Sequence, residues 1–444
     1  MILGTSALPA AAQMMGGSEL EDVGNTRLQK AVGRAVTAVC NDLSGTNPSG
    51  GSADLLVRCI ELVDSAIEIA GGSAGQSLGL TESELNEAVD DIAHRQLPAT
   101  AKSSSEISSV HTATVSQRLY ALRQGTEQIM IAGLLRDSEG NTLPVDYRWS
   151  PEDSAAGIKE KFPPGLGLYL NGMGSFGHRD SDNEELGFDY RNLGFTLGGD
   201  YRLSDSTVTG GAFSYVNTFQ DFNRDKGEID VNNVAFSAYG AHRFEAFYVD
   251  GILTYAHNEI DLEREIRYAT IARTAKGDTS SDEFSIAIGS GYEFETAGFT
   301  YGPMMDWEWI WLDIRSFTES SAGGLNLKHS HDSMKSATVD LGVEGSYPIS
   351  TRYGVFIPQL SVAWAHQFED DTREIKARYE FDTGLDEGEF FVETDSPDRN
   401  YAKLSAAVSA SLQGGWSAFG SYQAIVGHNR LSYQGFNFGG RYSF

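Results

Sequence analysis

The stretch Leu431-Ser-Tyr-Gln-Gly-Phe-Asn-Phe-Gly-Gly-Arg-Tyr-Ser-Phe444 decides the fold. Its even-numbered positions from 436 onward are mostly aromatic, whereas the odd-numbered positions between them are polar or glycine: the aromatic set is Phe436, Phe438, Tyr442 and Phe444. Because successive side chains of a strand point to opposite faces, one face of this segment is apolar and the other polar. A strand between lipid and a wet lumen needs this division. The segment therefore predicts a membrane-spanning β-strand.

Composition excludes some functions and leaves others open. The chain has 444 residues and a formal net charge of −29, which argues against a nucleic-acid partner because such a partner needs a basic face. The longest apolar run, Ile129 to Leu135, is far shorter than the roughly 18 residues of a transmembrane helix. A polar average composition is still compatible with a β-barrel, since only every second residue of each strand meets lipid.

The amino terminus has part of the pattern of an export signal. Residues 1–12 are small and apolar, and Ala10-Ala11-Ala12 before Gln13 resembles a signal-peptidase site. No Lys or Arg precedes Arg27, so the basic start of a signal peptide is missing. We interpret residues 1–12 as the remnant of a signal peptide truncated at its front; a simple apolar tail is the alternative.

Residues 13–105 are predicted to form a short helical region. Apolar residues recur at helical spacing on either side of a loop rich in helix breakers, Asn47 to Ser52, which predicts a helical hairpin. Cys40 and Cys59 then fall on facing helices. In an exported chain such a pair is more often a disulfide than a metal site, and two ligands alone do not hold a structural zinc ion.

Two further helices are expected before the strands begin. Thr81 followed by Glu84 forms a capping box that starts the third helix. A fourth helix is expected from about Glu106 to Gln124, and a polar linker with four prolines follows it up to residue 164. Residues 106–164 are thus treated as one helix and its linker.

From residue 165 to residue 444 the apolar period is two. About twelve strands are expected, with starts near residues 166, 187, 206, 231, 246, 283, 300, 336, 353, 400, 415 and 431. Short turns alternate with long, charged connections, of which the longest are residues 221–228, 260–282, 318–334 and 368–399. Short turns on one rim and long loops on the other are typical of outer-membrane barrels.

Residues 165–444 resemble the translocator domain of bacterial autotransporters, the type V secretion family. The matching stretches are Gly194-Phe-Thr-Leu-Gly-Gly-Asp-Tyr-Arg-Leu203, Gly210-Gly-Ala-Phe-Ser-Tyr215, Phe247-Tyr-Val-Asp-Gly251, Phe317-Thr-Glu319 and Gly439-Gly-Arg-Tyr-Ser-Phe444. More weakly, Ser116-Gln-Arg-Leu-Tyr-Ala-Leu-Arg-Gln-Gly125 resembles the segment that precedes the first strand in that family.

The resemblance implies an all-β transmembrane barrel of twelve antiparallel strands in the outer membrane of a Gram-negative bacterium. It also implies a helix in the pore that joins the barrel to an exported passenger, for which residues 13–105 are available. The barrel-assembly machinery would recognise the terminal strand, with Phe438, Tyr442 and Phe444 as the signal. Passengers of the family are usually long and repetitive, and this region is neither.

The expected helix has the charge to bind the lumen wall. A helix of about nineteen residues is roughly 28 Å long, close to the height of the apolar band. Its arginines, Arg118 and Arg123, are expected to meet carboxylates that alternation places inside the barrel, namely Asp306, Glu308, Asp340 and Glu344. This pairing is a hypothesis.

No catalytic site, metal site or cofactor is predicted. His329 and His331 flank Ser330 in an expected loop; a surface metal site is conceivable there, but a solvated loop is the simpler interpretation. The preferred function is a monomeric barrel, surrounded by outer-membrane lipid, that anchors and helps export or display its own amino-terminal segment. The alternatives are a pore for small solutes, a surface adhesin with a short helical passenger, and an outer-membrane enzyme.

Overall fold

The fold was analysed in a computed structural model. The structure describes residues 19–123, 166–182, 185–368, 373–382, 384, 388–394, 398–412 and 416–443. Among these residues, no helix combines the length and the hydropathy required to cross a bilayer.

Twelve antiparallel strands form a closed barrel, since every strand pairs with two neighbours and the last pairs with the first. The strands are β1 Leu166–Arg179, β2 Phe188–Ser204, β3 Thr207–Phe222, β4 Gly227–Phe244, β5 Phe247–Tyr268, β6 Ile271–Tyr292, β7 Phe299–Ile314, β8 Asp332–Ser346, β9 Gly354–Gln367, β10 Asn400–Leu412, β11 Trp416–Val426 and β12 Leu431–Ser443. The seam runs from Gly167 opposite Ser443 to Arg179 opposite Leu431. The predicted barrel and its twelve strands are confirmed.

One predicted connection was wrong. Residues 260–282 were expected to be a long charged loop, but β5 and β6 pair without interruption up to a two-residue turn at Ala269-Thr270. Strand β6 therefore begins at Ile271, about twelve residues earlier than expected. Most of these charged residues, such as Glu263 and Lys276, lie on the outer face of a hairpin that continues beyond the lipid, whereas Arg264 and Arg273 lie on the inner face.

Strand β5 shows how both faces change along the barrel axis. Outside, exposed Leu253 and Tyr255 give way to Glu259 and Asp261, so the lipid-facing stretch ends near residue 257. Inside, polar Asn258 gives way to buried Ile260 and Leu262 and, further on, Ile266 and Tyr268. An inner face that turns apolar above the membrane needs a protein partner to cover it.

That partner is a helical domain. It comprises α1 Glu19–Val23, α2 Arg27–Ser44, α3 Gly51–Ile69 and α4 Glu82–Ile92, and it leads into α5 Leu97–Arg123. The predicted capping box at Thr81 and Glu84 starts α4. Cys40 and Cys59 are bonded to each other, with their Cα atoms 5.7 Å apart, and join α2 to α3.

The helical domain lies on the long-loop rim of the barrel. Its buried apolar residues share one hydrophobic core with the inner faces of the overhanging strands; rim members of this core include Phe188, Phe222, Ile229, Leu262, Tyr268 and Phe390. A second sheet of four short strands completes the rim: Phe317–Thr318, Leu327–His329, Glu374–Tyr379 and Glu389–Glu393. We call these four strands the rim sheet.

Helix α5 begins at Leu97, nine residues before the expected start near Glu106. Pro98 lies in its first turn, where the missing N–H has no helical partner to lose. At about 1.5 Å per residue, its 27 residues extend roughly 40 Å. One helix therefore reaches from the helical domain deep into the barrel.

The lipid-facing surface gives a direct test of the membrane assignment. Leu360 is 68 % exposed and lies midway along β9. Leu360→Arg places a charge near the bilayer midplane, and we expect the free energy of unfolding in lipid vesicles to fall by about 2–4 kcal/mol. Urea titration followed by tryptophan fluorescence measures this loss. The Leu360→Phe variant is the matched control and should unfold like the wild type; equal stability of the Arg variant would contradict a lipid-facing position.

Candidate functional site in the barrel lumen

Helix α5 lies against one wall of the lumen. Val115, Leu119 and Leu122 are buried and pack against apolar side chains of β1 and of β3 to β5, which are Tyr169, Val208, Ala212, Tyr239 and Ile252. This apolar strip inside an otherwise polar lumen explains why the helix lies off centre. The barrel has enough room for one helix and a remaining space beside it.

Polar contacts fix the height of the helix in the pore. The His111 ring nitrogen Nε2 lies 2.7 Å from Ser237 Oγ on β4. Thr114 Oγ1 donates to Asn437 Oδ1 on β12 at 3.0 Å, and Ser421 Oγ on β11 donates to Gln117 Oε1 at 2.7 Å. These contacts lie on β4, β11 and β12, so the helix connects wall strands on either side of the seam between β12 and β1.

Arg118 provides the strongest of these contacts. Its Nε and Nη2 donate to Asp200 Oδ2 at 3.0 and 2.8 Å, and Arg441 Nη2 donates to Asp200 Oδ1 at 2.9 Å. Arg118, Asp200 and Arg441 are each about 2 % exposed. The guanidinium of Arg118 also lies 5.3 Å from the ring centroid of Tyr169. Breaking one member of such a buried group leaves another charge without full compensation.

The carboxylates expected as partners of Arg118 lie elsewhere in the lumen. Asp306, Glu308, Asp340 and Glu344 lie on β7 and β8, across the lumen from Asp200 on β2. Asp340 accepts from Lys403 Nζ at 2.7 Å, and Glu344 accepts from Tyr248 Oη at 2.8 Å. Side-chain alternation predicts these carboxylates in the lumen, and Asp200 is a luminal carboxylate missing from that prediction. Alternation alone could have found it, since Leu193, Phe195 and Leu197 face outward on the same strand.

A cavity of about 300 Å³ separates α5 from the opposite wall. Thr112, Ala113 and Ser116 of α5 line one side of it. The barrel wall contributes apolar surface together with several charged or polar side chains, among them Asp250, Asp306, Glu308, Asp340, Tyr401 and Lys403. The helix thus narrows the pore and leaves beside it a space with room for several water molecules, in whose lining carboxylates outnumber cations.

The remaining predicted site residues belong to the carboxyl-terminal segment and to the end of α5. Phe438 is 66 % exposed on the outer face of β12, and the Tyr442 ring lies 5.0 Å from that of Trp416. Phe444 lies outside the described residues, as does the side chain of Arg123, the last residue of α5.

Ion pairs attach the helical domain to the rim. Asp54 of α3 accepts from Arg273 of β6 at 2.5 and 2.9 Å, and from the backbone N–H of Gly324 at 2.7 Å. The hydrogen bond from Arg273 is the main reason that the pKa of Asp54 is lowered. Asp91 of α4 accepts from Lys226 Nζ at 2.6 Å, although burial raises the pKa of this carboxyl group.

A second buried group lies where α4, α5 and the rim sheet meet. His94 Nδ1 is 3.0 Å from His329 Nε2, and both rings are about 1 % exposed. Glu319 is equally buried and pairs with Arg264 of β5. Burial opposes ionisation of Glu319, but Arg264 and the two histidines outweigh that effect and lower its pKa. Of these four residues, only His329, together with His331, was a possible metal ligand on the sequence pattern alone.

Comparisons with known proteins agree with this geometry. The family described as autotransporter β-domain matches residues 168–423, which is more than half of the chain. The translocator domain of the autotransporter NalP from Neisseria meningitidis has the same fold, with a TM-score of 0.52 at 12% sequence identity; the alignment covers 76% of this chain and 98% of that domain. The chain belongs to the autotransporter β-domain family.

Membership in this family places the barrel in the outer membrane of a Gram-negative bacterium, where it is a translocator, and passenger export is the family's role. The family is defined by transport rather than by catalysis.

Two curated relatives are much longer than this chain. Lipase 1 of Photorhabdus luminescens is 24% identical over 231 residues, which are 51% of this chain and 34% of that protein. An extracellular serine protease of Serratia marcescens is 21% identical over 301 residues, 68% of this chain and 26% of that protein. The chain thus spans between a quarter and about a third of the length of these relatives.

Arg118 provides the test of the lumen contacts. Arg118→Glu places a carboxylate beside Asp200, and we expect a loss of about 3–5 kcal/mol in the stability of the plugged state. The helix should leave the wall more often, so single-channel conductance in planar bilayers should rise and become noisier. Arg34→Glu, which alters an exposed arginine of the helical domain, should leave conductance unchanged. An unaltered conductance in the Arg118 variant would contradict the pairing with Asp200.

The Asp54 pair gives a pH-dependent prediction. Because its pKa is lowered in the folded chain, its stabilisation is complete above the ordinary carboxyl pKa of about 4 and is lost as the pH falls through the folded value. Wild type should exceed Asp54→Asn in thermal stability of the helical domain by about 1–2 kcal/mol near neutral pH, and the two should converge in acid. Circular dichroism of the helical signal measures this. Asp22→Asn, at an exposed position of α1, should show no such convergence; a pH-independent difference at Asp54 would contradict the ion pair.

Proposed function

We propose that the barrel anchors and displays its own helical domain on the cell surface, while α5 closes the pore beneath it. In this proposal residues 13–105 are the passenger-like region, residues 106–164 contain the pore helix and its linker, and residues 165–444 are the translocator. Helix α5 runs without a break across residue 105. This supports the view that the passenger-like region and the pore helix move together.

The single observation that carries the proposal is the shared core between the helical domain and the rim. Buried Val36, Leu55 and Ile92 belong to the same apolar cluster as Ile266 and Tyr379. Exposing that core would cost about 25 cal/mol for each Å² of apolar surface. A docked domain is therefore the stable arrangement, and release of the helices as a free passenger is not favoured.

Orientation follows from the lengths of the connections. Outer-membrane barrels carry short turns on the periplasmic rim and longer loops outside. The helical domain lies on the long-loop rim, with β1 entering from the opposite side. This supports a surface location for the domain and a periplasmic location for the start of the barrel.

A small-solute channel is the second candidate, and the cavity beside α5 is the observation that favours it. Its volume of about 300 Å³ suits water and small cations rather than a folded chain. The helical domain lies between this cavity and the cell exterior. In this proposal the cavity is therefore a hydrated space, and solute transport is not the function of the barrel.

The proposal includes two partners, outer-membrane lipid and the barrel-assembly machinery. Outer-membrane lipid covers the exposed apolar belt, and the barrel-assembly machinery recognises β12, with its exposed Phe438. A monomer is sufficient, because the sheet closes within one chain. No catalytic role is proposed, and the activities named for the lipase and the protease belong to those longer proteins.

Protease shaving of intact cells tests the surface display. Antibody against α1–α4 should label intact cells. Because the shared core protects the domain, proteinase K should cut it only after the rim contacts are weakened, for example in a double variant with Asp54→Asn and Asp91→Asn. The control is a periplasmic marker protein that survives in both strains. Labelling and cleavage that occur only after the outer membrane is permeabilised would place the domain in the periplasm and overturn the proposal.

A further inference from the structure

We propose that the chain binds one divalent transition-metal ion of the Zn²⁺ class in a buried site formed by His94, Glu319 and His329. The site joins the helical domain to the rim sheet, and the translocator role does not require it. Its three ligand atoms come from three separate segments: the turn after α4, the residue that follows strand Phe317–Thr318, and the end of strand Leu327–His329.

The distances between the ligand atoms fit such an ion. His94 Nδ1 lies 3.0 Å from His329 Nε2 and 3.3 Å from Glu319 Oε1, and His329 Nε2 lies 3.7 Å from the same oxygen. Ligands at about 2.0–2.2 Å from a tetrahedral zinc ion are separated from one another by roughly 3.3–3.6 Å. The three observed separations bracket this range. An ion therefore fits with shifts of a few tenths of an ångström.

The chemistry of the donors selects the class of metal. Two imidazole nitrogens with one carboxylate oxygen suit Zn²⁺ and its neighbours Co²⁺, Ni²⁺ and Cu²⁺, whereas Ca²⁺ and Mg²⁺ prefer oxygen ligands throughout. Both cysteines of the chain are bonded to each other, so no thiolate competes for the ion. Three protein ligands leave the fourth position open.

The surroundings hold these ligands in place. Arg264 donates to Glu319 through Nε at 3.0 Å, and the backbone N–H of Leu327 donates to Glu319 Oε2 at 2.8 Å. The Phe317 ring lies against His329, with ring centroids 4.5 Å apart. Such outer contacts orient metal ligands and tune their affinity. Arg264 is a positioning residue in this site, and its positive charge favours an anion, hydroxide or chloride, in the open fourth position.

The backbone of the turn between α4 and α5 positions His94. His94 has a φ of 56°, in the left-handed region that residues other than glycine seldom adopt. This conformation turns the ring toward the rim sheet between α4 and α5. The outer nitrogens, His94 Nε2 and His329 Nδ1, are buried and have no hydrogen-bond partner among the described residues. The facing nitrogens therefore carry the polar interactions of both rings.

Bound metal would hold the helical domain on the barrel. Residue 94 lies three positions before the start of α5, whereas residues 319 and 329 belong to the long connection between β7 and β8. An ion that bridges them fixes the top of the plug to the rim. Its removal should loosen the domain without opening the barrel itself.

The test uses the full-length protein in detergent, stripped with EDTA and dialysed against Zn²⁺ or Co²⁺. We expect one Zn²⁺ per chain by elemental mass spectrometry and a visible Co²⁺ spectrum of a four-coordinate site. Zinc should also raise the thermal midpoint of the helical signal. His94→Ala and His329→Ala should each weaken binding by at least about 10-fold. His331→Ala, two residues away at an exposed position, is the matched control and should bind like the wild type.

Two results would overturn the proposal. One is a wild-type chain that retains no zinc after dialysis; the other is zinc binding that persists in folded His94→Ala or His329→Ala protein. Heat-modifiable electrophoretic mobility shows whether each variant has a folded barrel. If the alanine variants fail to fold, X-ray absorption of zinc-loaded wild type still decides the question. Two imidazoles in the zinc shell support the site, and any other number of imidazoles contradicts it.

Discussion

Backbone hydrogen bonding in lipid is the constraint on which the rest of this structure depends. No water reaches the bilayer interior to satisfy an unpaired N–H or C=O group, so a spanning sheet has to close on itself. Pairing of β12 with β1 meets this requirement. Closure of the sheet creates a lumen, and the rest of the chain covers the inner surface of the barrel: α5 lies in the lumen and the helical domain lies above it.

The inner surface is one continuous face with two environments. Within the membrane it is polar and binds α5 through Ser237, Asn437 and Asp200. Above the membrane it is apolar and shares a core with α1–α4. Alternation of side chains is the same in both parts; only the neighbour changes, from lipid outside to protein inside. The barrel strands thus extend beyond the membrane and form one side of the hydrophobic core that they share with the helical domain.

Much of this fold could be predicted from the sequence, and the failures have a common physical cause. The period of two, the turns and the terminal aromatic face predict twelve strands because lipid imposes one simple pattern on every strand. That pattern ends at the membrane surface. Glu263 and Glu265 therefore looked like loop residues, although they lie on the outer face of a paired hairpin. The partners of Arg118 could not be predicted, because the side of the lumen on which a helix lies depends on packing by residues such as Tyr239. His94 and Glu319 were missed for a similar reason: they are 225 positions apart in the chain and meet only through the docked domain.

The bond between Cys40 and Cys59 has a consequence for where the helical hairpin can lie. Two helices side by side are roughly 20 Å across, since each has a diameter of about 10 Å. The lumen holds one helix and a cavity of about 300 Å³. The hairpin that this bond holds together is therefore too wide to share the lumen with α5. The cross-link keeps the two helices side by side, so the hairpin stays on the rim because it is wider than the space below it.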